Sequence, residues 1–278
     1  MIDSSPDDLL PDTGRSPPHD PYSATYASHV DSATRRRIRR EVYGSEYPED
    51  VDPRSFVTRS QLRRLAQELR VGPGNQIVDL GCGQGGPGLW AARQTGAGLL
   101  GIDLSDHAIA SAARRAAELG LADRARFSVG DIVATGLPDA TFDAAMSIDV
   151  LWAVPDKAGA LCEAARILKP GARFVLTSWD RDRTPPGALA PAVGDHRPLL
   201  AHAGFVVEHY NVDPAAERLR RIFYKRIVAA EETLKLEVGH EATSRLMFEA
   251  KGNLGLTDGV DYLVHSRRIF VVARRPRP

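Results

Sequence analysis

The sequence predicts an α/β fold, a parallel sheet with helices on both faces. Three observations predict it. Short strand-like runs recur at 76–80, 99–104, 126–130, 142–147 and 173–178. Segments of helical character separate most of them, at 86–94, 106–119 and 157–168, and strands alternating with helices mean a parallel sheet buried on both faces. The first strand also runs straight into a glycine-dense turn, QIVDLGCGQGGPG over 76–88. Gly81, Gly83, Gly85 and Gly86 have no Cβ, so they permit positive φ and let backbone N–H groups touch a ligand. Strand, glycine turn and helix form the nucleotide-handling unit of open α/β sheets, with ligands at the carboxyl ends of the strands.

A chain of 278 residues can bury a sizeable core. With 43% hydrophobic and 26% charged residues it has the composition of a soluble globular protein. The formal net charge is zero, which gives no general attraction to nucleic acid. There is no apolar run of membrane-spanning length and no signal peptide, so a cytoplasmic location without a membrane partner is expected. Cys82 and Cys162 make neither a disulfide framework nor a zinc site, and no metal is expected. Basic positions are overwhelmingly Arg in an Ala-rich chain, the composition of a GC-rich genome.

Taken in order, residues 1–30 hold prolines among Asp and Ser and read as a disordered leader ahead of a single domain over 31–278. A helix is expected over 31–47, its cluster Arg35, Arg36, Arg37, Arg39 and Arg40 reading as a solvated face. A second helix over 58–70, opened by Asp52, Pro53 and Ser55, places Leu62, Leu65 and Leu69 on one face. Gly72-Pro73-Gly74 stops it. Ser105 and Asp156 are N-caps for the helices that follow them, and Pro170-Gly171 ends the second of these. After Trp179 comes a Pro/Gly-containing loop, then a short helix over 198–203 and a sixth strand over 205–210. Asp213-Pro214 is a helix start. That helix carries Leu219, Ile222, Phe223, Ile227 and Leu234 on one face, with Arg218, Arg220, Arg221, Lys225 and Arg226 mostly off it. A seventh strand spans 268–273.

The spacing Gly81-x-Gly83-x-x-Gly86 fits a dinucleotide pattern, but the acids favour S-adenosylmethionine (SAM). Asp79, just before the turn, suits a cationic ammonium and would repel a pyrophosphate. Asp103 ends the second strand, where a carboxylate binds ribose hydroxyls. Asp131 follows the third strand, within reach of an adenine amino group. The segments VDLGCGQG (78–85), GIDLS (101–105), GDI (130–132), FDAAMSIDVLWAVPD (142–156) and ILKPGARFVLTSW (167–179) resemble the class I SAM-dependent methyltransferases of the small-molecule branch, in order and spacing. The resemblance covers somewhat over a third of the chain. It implies a Rossmann-like, seven-stranded, mostly parallel sheet, its sixth and seventh strands an antiparallel pair at one edge. It also implies a SAM-binding core over 75–180 and N-terminal lid helices over 31–70. Most relatives join the sixth and seventh strands by a short hairpin; the more than fifty residues between them here are too many for an idle loop and read as a helical substrate-lid insertion over 214–264. The cofactor contacts it implies are Tyr43, Asp79, Gly81, Cys82, Gly83, Gly85, Asp103, Leu104, Asp131, Ile132 and Ser147.

Methyl transfer from a sulfonium is an in-line displacement, so the protein must place a nucleophile and sometimes remove its proton. Asp149, after the fourth strand, is a candidate base or substrate contact, and Trp152 and Tyr47 are candidate walls for the acceptor. Some relatives carry a histidine where this chain has Trp152-Ala153, which leaves His196, after the fifth strand, as the best-placed histidine for a base. The expected activity is methyl transfer to a small molecule, oxygen ranked before nitrogen or carbon. Lid elements and composition are similar to those of actinobacterial natural-product tailoring enzymes, including those of antibiotic biosynthesis. A SAM-binding enzyme with a non-methylating step such as cyclisation, or a non-catalytic SAM-binding protein, are the alternatives, and monomer or homodimer is left open.

Overall fold

The computed structural model describes residues 32–51, 54–185 and 188–278. The expected leader and the pair Asp52-Pro53 lie outside the described residues. Seven strands, β1 (Gln76–Leu80), β2 (Gly98–Asp103), β3 (Ala125–Val129), β4 (Phe142–Ile148), β5 (Leu168–Arg181), β6 (Val206–Val212) and β7 (Ser266–Arg274), form one sheet. Their order is β3-β2-β1-β4-β5-β7-β6. The first five are parallel, and β7 runs antiparallel to both β5 and β6. The strand order reverses between β1 and β4, which opens a crevice at their carboxyl ends.

Alternate residues of each strand feed two cores, as the pleat requires. Val78, Ile102, Leu176 and Val271 pack on one face with α5 (Lys157–Ile167) and α6 (Arg197–His202). Ile77, Met146, Val175 and Phe270 pack on the other with α2 (Arg59–Leu69), α3 (Gly86–Thr95) and the buried Ala116 of α4 (Asp106–Glu118). Ser105 and Asp156 cap α4 and α5 as expected, accepting from Ala108 N at 3.3 Å and Gly159 N at 2.8 Å.

Several boundaries differ from the sequence reading, among them that of the first helix, which ends at Tyr43 and not at 47. Helix α2 starts at Arg59, because Thr58 and Gln61 form a reciprocal capping box there. Strand β5 is 14 residues long, reaching well beyond 173–178. Leu168 pairs with Phe142, and the register shifts before Ala144 meets Arg173, so Pro170 falls where the ladder is broken. At the other end Trp179, Asp180 and Arg181 continue by pairing with β7. Helix α7 (Ala216–Ala229) begins two residues late, because the Asp213 carboxylate first accepts from Ala215 N at 2.9 Å. Its buried face is also rotated. Ile222 is exposed, whereas Arg220 is buried beside Phe223 and Tyr224.

A third core lies above the sheet. Ile38 of α1 (Ala33–Tyr43) packs with Phe223 and Ile227 of α7 and with Leu234, Met247 and Ala250 of α8 (Glu231–Asn253). Glu237 of α8 anchors the start of α1, accepting from Ser32 Oγ at 2.7 Å and Thr34 Oγ1 at 2.6 Å. The N-terminal helix and the insertion between β6 and β7 therefore form one helical cap. No helix among the described residues is long and apolar enough to cross a membrane.

Leu234 is fully buried in this cap. Leu234→Ala should destabilise by about 2–5 kcal/mol. Hydrogen exchange should rise in α1, α7 and α8 before it rises in β1, β4 and β5. A uniform rise would show that cap and sheet open as one unit.

Candidate cofactor and acceptor site

The turn after β1 is held from below. Gly81 N and Cys82 N both donate to the Ile102 carbonyl, at 2.8 and 3.0 Å. Gly83 N donates to Asp103 Oδ2 at 2.8 Å and Ser105 N to Asp103 Oδ1 at 3.0 Å. The Asp103 carboxylate thus staples the glycine turn to the end of β2. Gly81, Gly83 and Gly85 all adopt positive φ, as expected. Two of them serve internal packing as well. A Cβ on Gly81 would lie 2.5 Å from Val150 Cγ1, and one on Gly85 would lie 3.0 Å from Ala112 Cβ.

Asp79 is buried at the end of β1 and its carboxyl accepts no hydrogen bond among the described residues. Burial, and then the charge of Asp103, push its pKa up to about 8. A buried acid beside a second acid calls for a cation, so the residues present suit the ammonium of SAM and not a pyrophosphate. Asp131 is half-buried after β3, where one oxygen accepts from Val133 N at 2.9 Å. Leu104 is half-buried beside Asp103, and Ile132 belongs to the core.

Two expected contacts are spent inside the protein. Ser147 donates its hydroxyl to the Leu80 carbonyl at 2.8 Å, tying β4 to β1 beneath the crevice. Cys82 is buried, and burial followed by the charges of Asp103 and Asp79 raises its thiol well above the usual range. It packs where a Cβ on Gly101 would come within 2.8 Å of its sulfur.

The acceptor side corrects the sequence reading more deeply. Asp149 takes positive φ. Its Oδ2 accepts from Phe56 N at 3.0 Å and Arg268 Nη2 at 2.8 Å, and its Oδ1 accepts from Thr177 Oγ1 at 3.0 Å. Arg268 also donates to Gln61 Oε1. Both carboxylate oxygens are occupied, so Asp149 is a buried anchor and no free base. His196 is 1% exposed, with Nδ1 2.7 Å from Asp180 Oδ1. Tyr210 donates to the same carboxylate at 2.8 Å and accepts from His196 N at 3.0 Å. Alternation along β5 sends Asp180 away from Trp179 and Arg181, so this His–Asp–Tyr group lies across the strand from them. The expected overhanging histidine is instead a buried tie.

Trp152 does line a cleft, with Trp179, Arg181, Lys157 and the loop residues Pro185 and Ala190–Val193. Its Nε1 donates to the Asp149 carbonyl at 2.7 Å, which fixes the ring. Tyr43 comes from the last turn of α1. Burial raises its pKa to about 12 against the opposing charges of Arg39, Arg268 and Arg220. Tyr47 is buried in the base of the cap, 6.0 Å from the Arg39 guanidinium, and is no open wall. The sequence reading missed Phe56, whose ring meets Trp179, Phe223 and Tyr224 edge-on at 5.8–6.0 Å. It also missed Arg39, Arg220 and Arg268, all buried. One signal was present for the last: Arg268 opens an otherwise apolar strand run, IFVVA.

Residues 78–176, from the glycine turn into β5, match the family described as a methyltransferase domain. That stretch is somewhat over a third of the chain, and over it the chain is similar to the class I methyltransferases. A methyltransferase of Streptomyces halstedii, GfsG, is 33% identical over 129 residues, 46% of this chain and 46% of its own. A sterol 24-C-methyltransferase of Gibberella zeae is 34% identical over 115 residues, 41% of this chain and 30% of its own. The matches span less than half the length of these curated relatives. Among solved structures, the [4+2]-cyclase SpnF superposes with a TM-score of 0.68 at 23% identity, covering 87% of this chain and 93% of its own. The geranyl diphosphate C-methyltransferase of Streptomyces coelicolor superposes at 0.62 and 20% identity, covering 94% and 100%. These two likenesses are of fold. They extend the likeness of fold over the cap as well as the matched core.

In this protein the Asp149–Arg268 pair is almost completely buried, at 5% and 1% side-chain exposure. Arg268→Met should cost about 3–5 kcal/mol in urea unfolding, because it leaves a buried charge alone. Adding Asp149→Asn should cost less than the sum of the single losses. Strictly additive losses would refute the coupling.

Proposed function

We propose that this protein transfers the methyl group of S-adenosylmethionine to a small-molecule acceptor seated between the strand ends and the helical cap. The observation that carries the reading is the pair of carboxylates at the crevice. Asp79 is buried without a hydrogen-bonding partner among the described residues, and Asp103 is fixed beside the glycine turn. Asp79 takes the cofactor ammonium, Asp103 the ribose hydroxyls, and Asp131 the adenine amino group. The backbone from Gly81 to Gly85, with Leu104 and Ile132, completes the cradle, and Tyr43 closes it from α1. The cofactor, when bound, supplies an electrophilic sulfonium methyl.

Neither expected base stands free at the cleft: Asp149 is committed to Arg268, and His196 is buried, its Nδ1 held by Asp180 and its unpartnered Nε2 shut off from solvent. The chain therefore acts by placing the acceptor and excluding water beneath the cap, with oxygen ranked before nitrogen or carbon as the receiving atom. The name of the Streptomyces halstedii relative and the GC-rich composition support a role in natural-product tailoring. Catalysis by placement also suits a non-methylating cyclisation, the activity named for the SpnF structure. Incubation with SAM and candidate acceptors separates the readings. Methyl transfer yields S-adenosylhomocysteine and an acceptor heavier by one methyl group. Cyclisation rearranges the acceptor without adding mass, and a sensor changes nothing.

Asp103→Ala should weaken SAM binding by about tenfold or more in calorimetry, the worth of a charge-assisted hydrogen bond. Unchanged affinity would remove Asp103 from the site.

Asp79 gives a test by pH. Its folded pKa of about 8 lies above the ordinary 3.8, so the fold holds this proton more tightly than the unfolded chain does. The associated stability is present below the unfolded value and is lost as pH rises to the folded one. Melting of the ligand-free protein should therefore fall across that window. Asp79→Asn should flatten the fall and melt higher at its upper end, while binding SAM less tightly. A variant that keeps the wild-type slope would show that Asp79 does not carry it.

A further inference from the structure

Around the cleft the described residues hold more positive charge than they neutralise. Arg220 of α7 is 2% exposed and lies over the Trp179 ring, its guanidinium carbon 4.1 Å from the centroid. Its Nη2 donates to Asn253 Oδ1 at 2.5 Å, but Nη1 is buried with no partner among the described residues. Arg181, the last residue of β5, lies over the Trp152 ring at 5.1 Å, and its Nε is likewise buried without a partner. Burial, and then the charge of Arg220, bring its pKa down to about 10. Lys157 points its Nζ at the carbonyls of Val154 and Pro191, at 2.9 and 3.0 Å. Burial and the neighbouring Arg181 depress it too.

No carboxylate among the described residues pairs with Arg181, Arg220 or Lys157. The acids nearby are committed. Asp149 holds Arg268 at 2.8 Å, and Glu249 accepts from Tyr224 Oη at 2.6 Å. Stacking on the two indoles explains where the guanidinium planes lie. It does not explain N–H groups left without an acceptor, because burying a charge without a counter-charge is costly. Two planar guanidinium forks and an ammonium at one aromatic-walled cleft suit a compact oxyanion. The cluster sits at the β5 end of the site, across the crevice from the glycine turn at β1 and β2.

We propose that Arg181, Arg220 and Lys157 bind an oxyanion carried by the acceptor, a carboxylate or a phosphate, while Trp152 and Trp179 wall the rest of that molecule. The acceptor half of this statement rests on the methyltransferase reading; the anion site does not. Calorimetric titration tests it, with inorganic phosphate, pyrophosphate and benzoate each added to the full chain, with and without S-adenosylhomocysteine. At least one probe should bind, and which one binds distinguishes a phosphate from a carboxylate. Arg181→Gln and Arg220→Gln should each weaken that binding by about tenfold or more, and Arg220→Lys should weaken it less. Affinity for S-adenosylhomocysteine should hold in all three.

Should a variant fail to fold, phenylglyoxal labelling of the wild type replaces it, and the bound probe should protect Arg181 and Arg220. No binding by any probe up to about 10 mM overturns the proposal. So does wild-type affinity in the variants, or labelling that the probe leaves unchanged. Loss of S-adenosylhomocysteine instead of the probe overturns it as well, by assigning the arginines to the cofactor. If the wild type fails to bind S-adenosylhomocysteine, the methyltransferase reading falls, and the titration without it still decides the anion site.

Discussion

The acceptor side of this protein hangs on one buried ion pair. Arg268 and Asp149 meet at 2.8 Å where water scarcely reaches. Taking two charges out of water is costly, and such a pair is tolerable only when its remaining donors and acceptors are met. Here most of them are met, by groups from three separate places, Phe56 N ahead of α2, Gln61 within it and Thr177 on β5, while Arg268 Nε is buried without a partner among the described residues. The requirement to satisfy one pair therefore fixes the approach of the N-terminal region to the sheet. It also holds Asp149 at positive φ and, through the Asp149 carbonyl, orients Trp152.

From that anchor a stack of aromatic rings and guanidinium groups rises into the cap. Phe56 touches Trp179 below and Phe223 and Tyr224 above, and Arg39 and Arg220 each lie 5.5 Å from its ring. Flat cations on aromatic faces bury charge with less loss than point charges would, because the guanidinium is weakly hydrated and the ring face is negative. A cap built this way joins to the sheet through apolar area while it keeps donors close to the cleft.

The sheet and the cofactor side were legible in the sequence because their signals are local. A glycine turn after a strand, an acid at a strand end, and a cap before a helix each depend on a few adjacent residues. Asp79, Asp103 and the caps Ser105 and Asp156 stand where that reasoning puts them. The acceptor side was not legible, because its chemistry is decided by partners far along the chain. Asp149 reads as a free acid until Arg268, 119 residues later, is seen beside it. His196 reads as a loop base until Asp180 and Tyr210 enclose it. Arg220 reads as lying off the apolar face because periodicity alone does not set the rotation of a helix about its axis, and the aromatic rings above the sheet draw that side inward.

The position of β7 bears on the order in which this molecule is assembled during synthesis. Strand β7, the last of the sheet in chain order, lies between β5 and β6. Until it arrives, β6 has no neighbour to pair with, Asp149 has no counter-charge, and the helices of the insertion have no fixed point on the sheet. The five parallel strands can form around the glycine turn while the C-terminal third is still being made. The acceptor chamber, by contrast, is closed by a single late event that draws together residues from both halves of the chain. Such long-range closure is slow compared with local helix formation and leaves a hydrophobic edge waiting. A stall or truncation ahead of β7 would thus leave a protein with the crevice at β1 and β4 shaped and the cap not yet fixed over it.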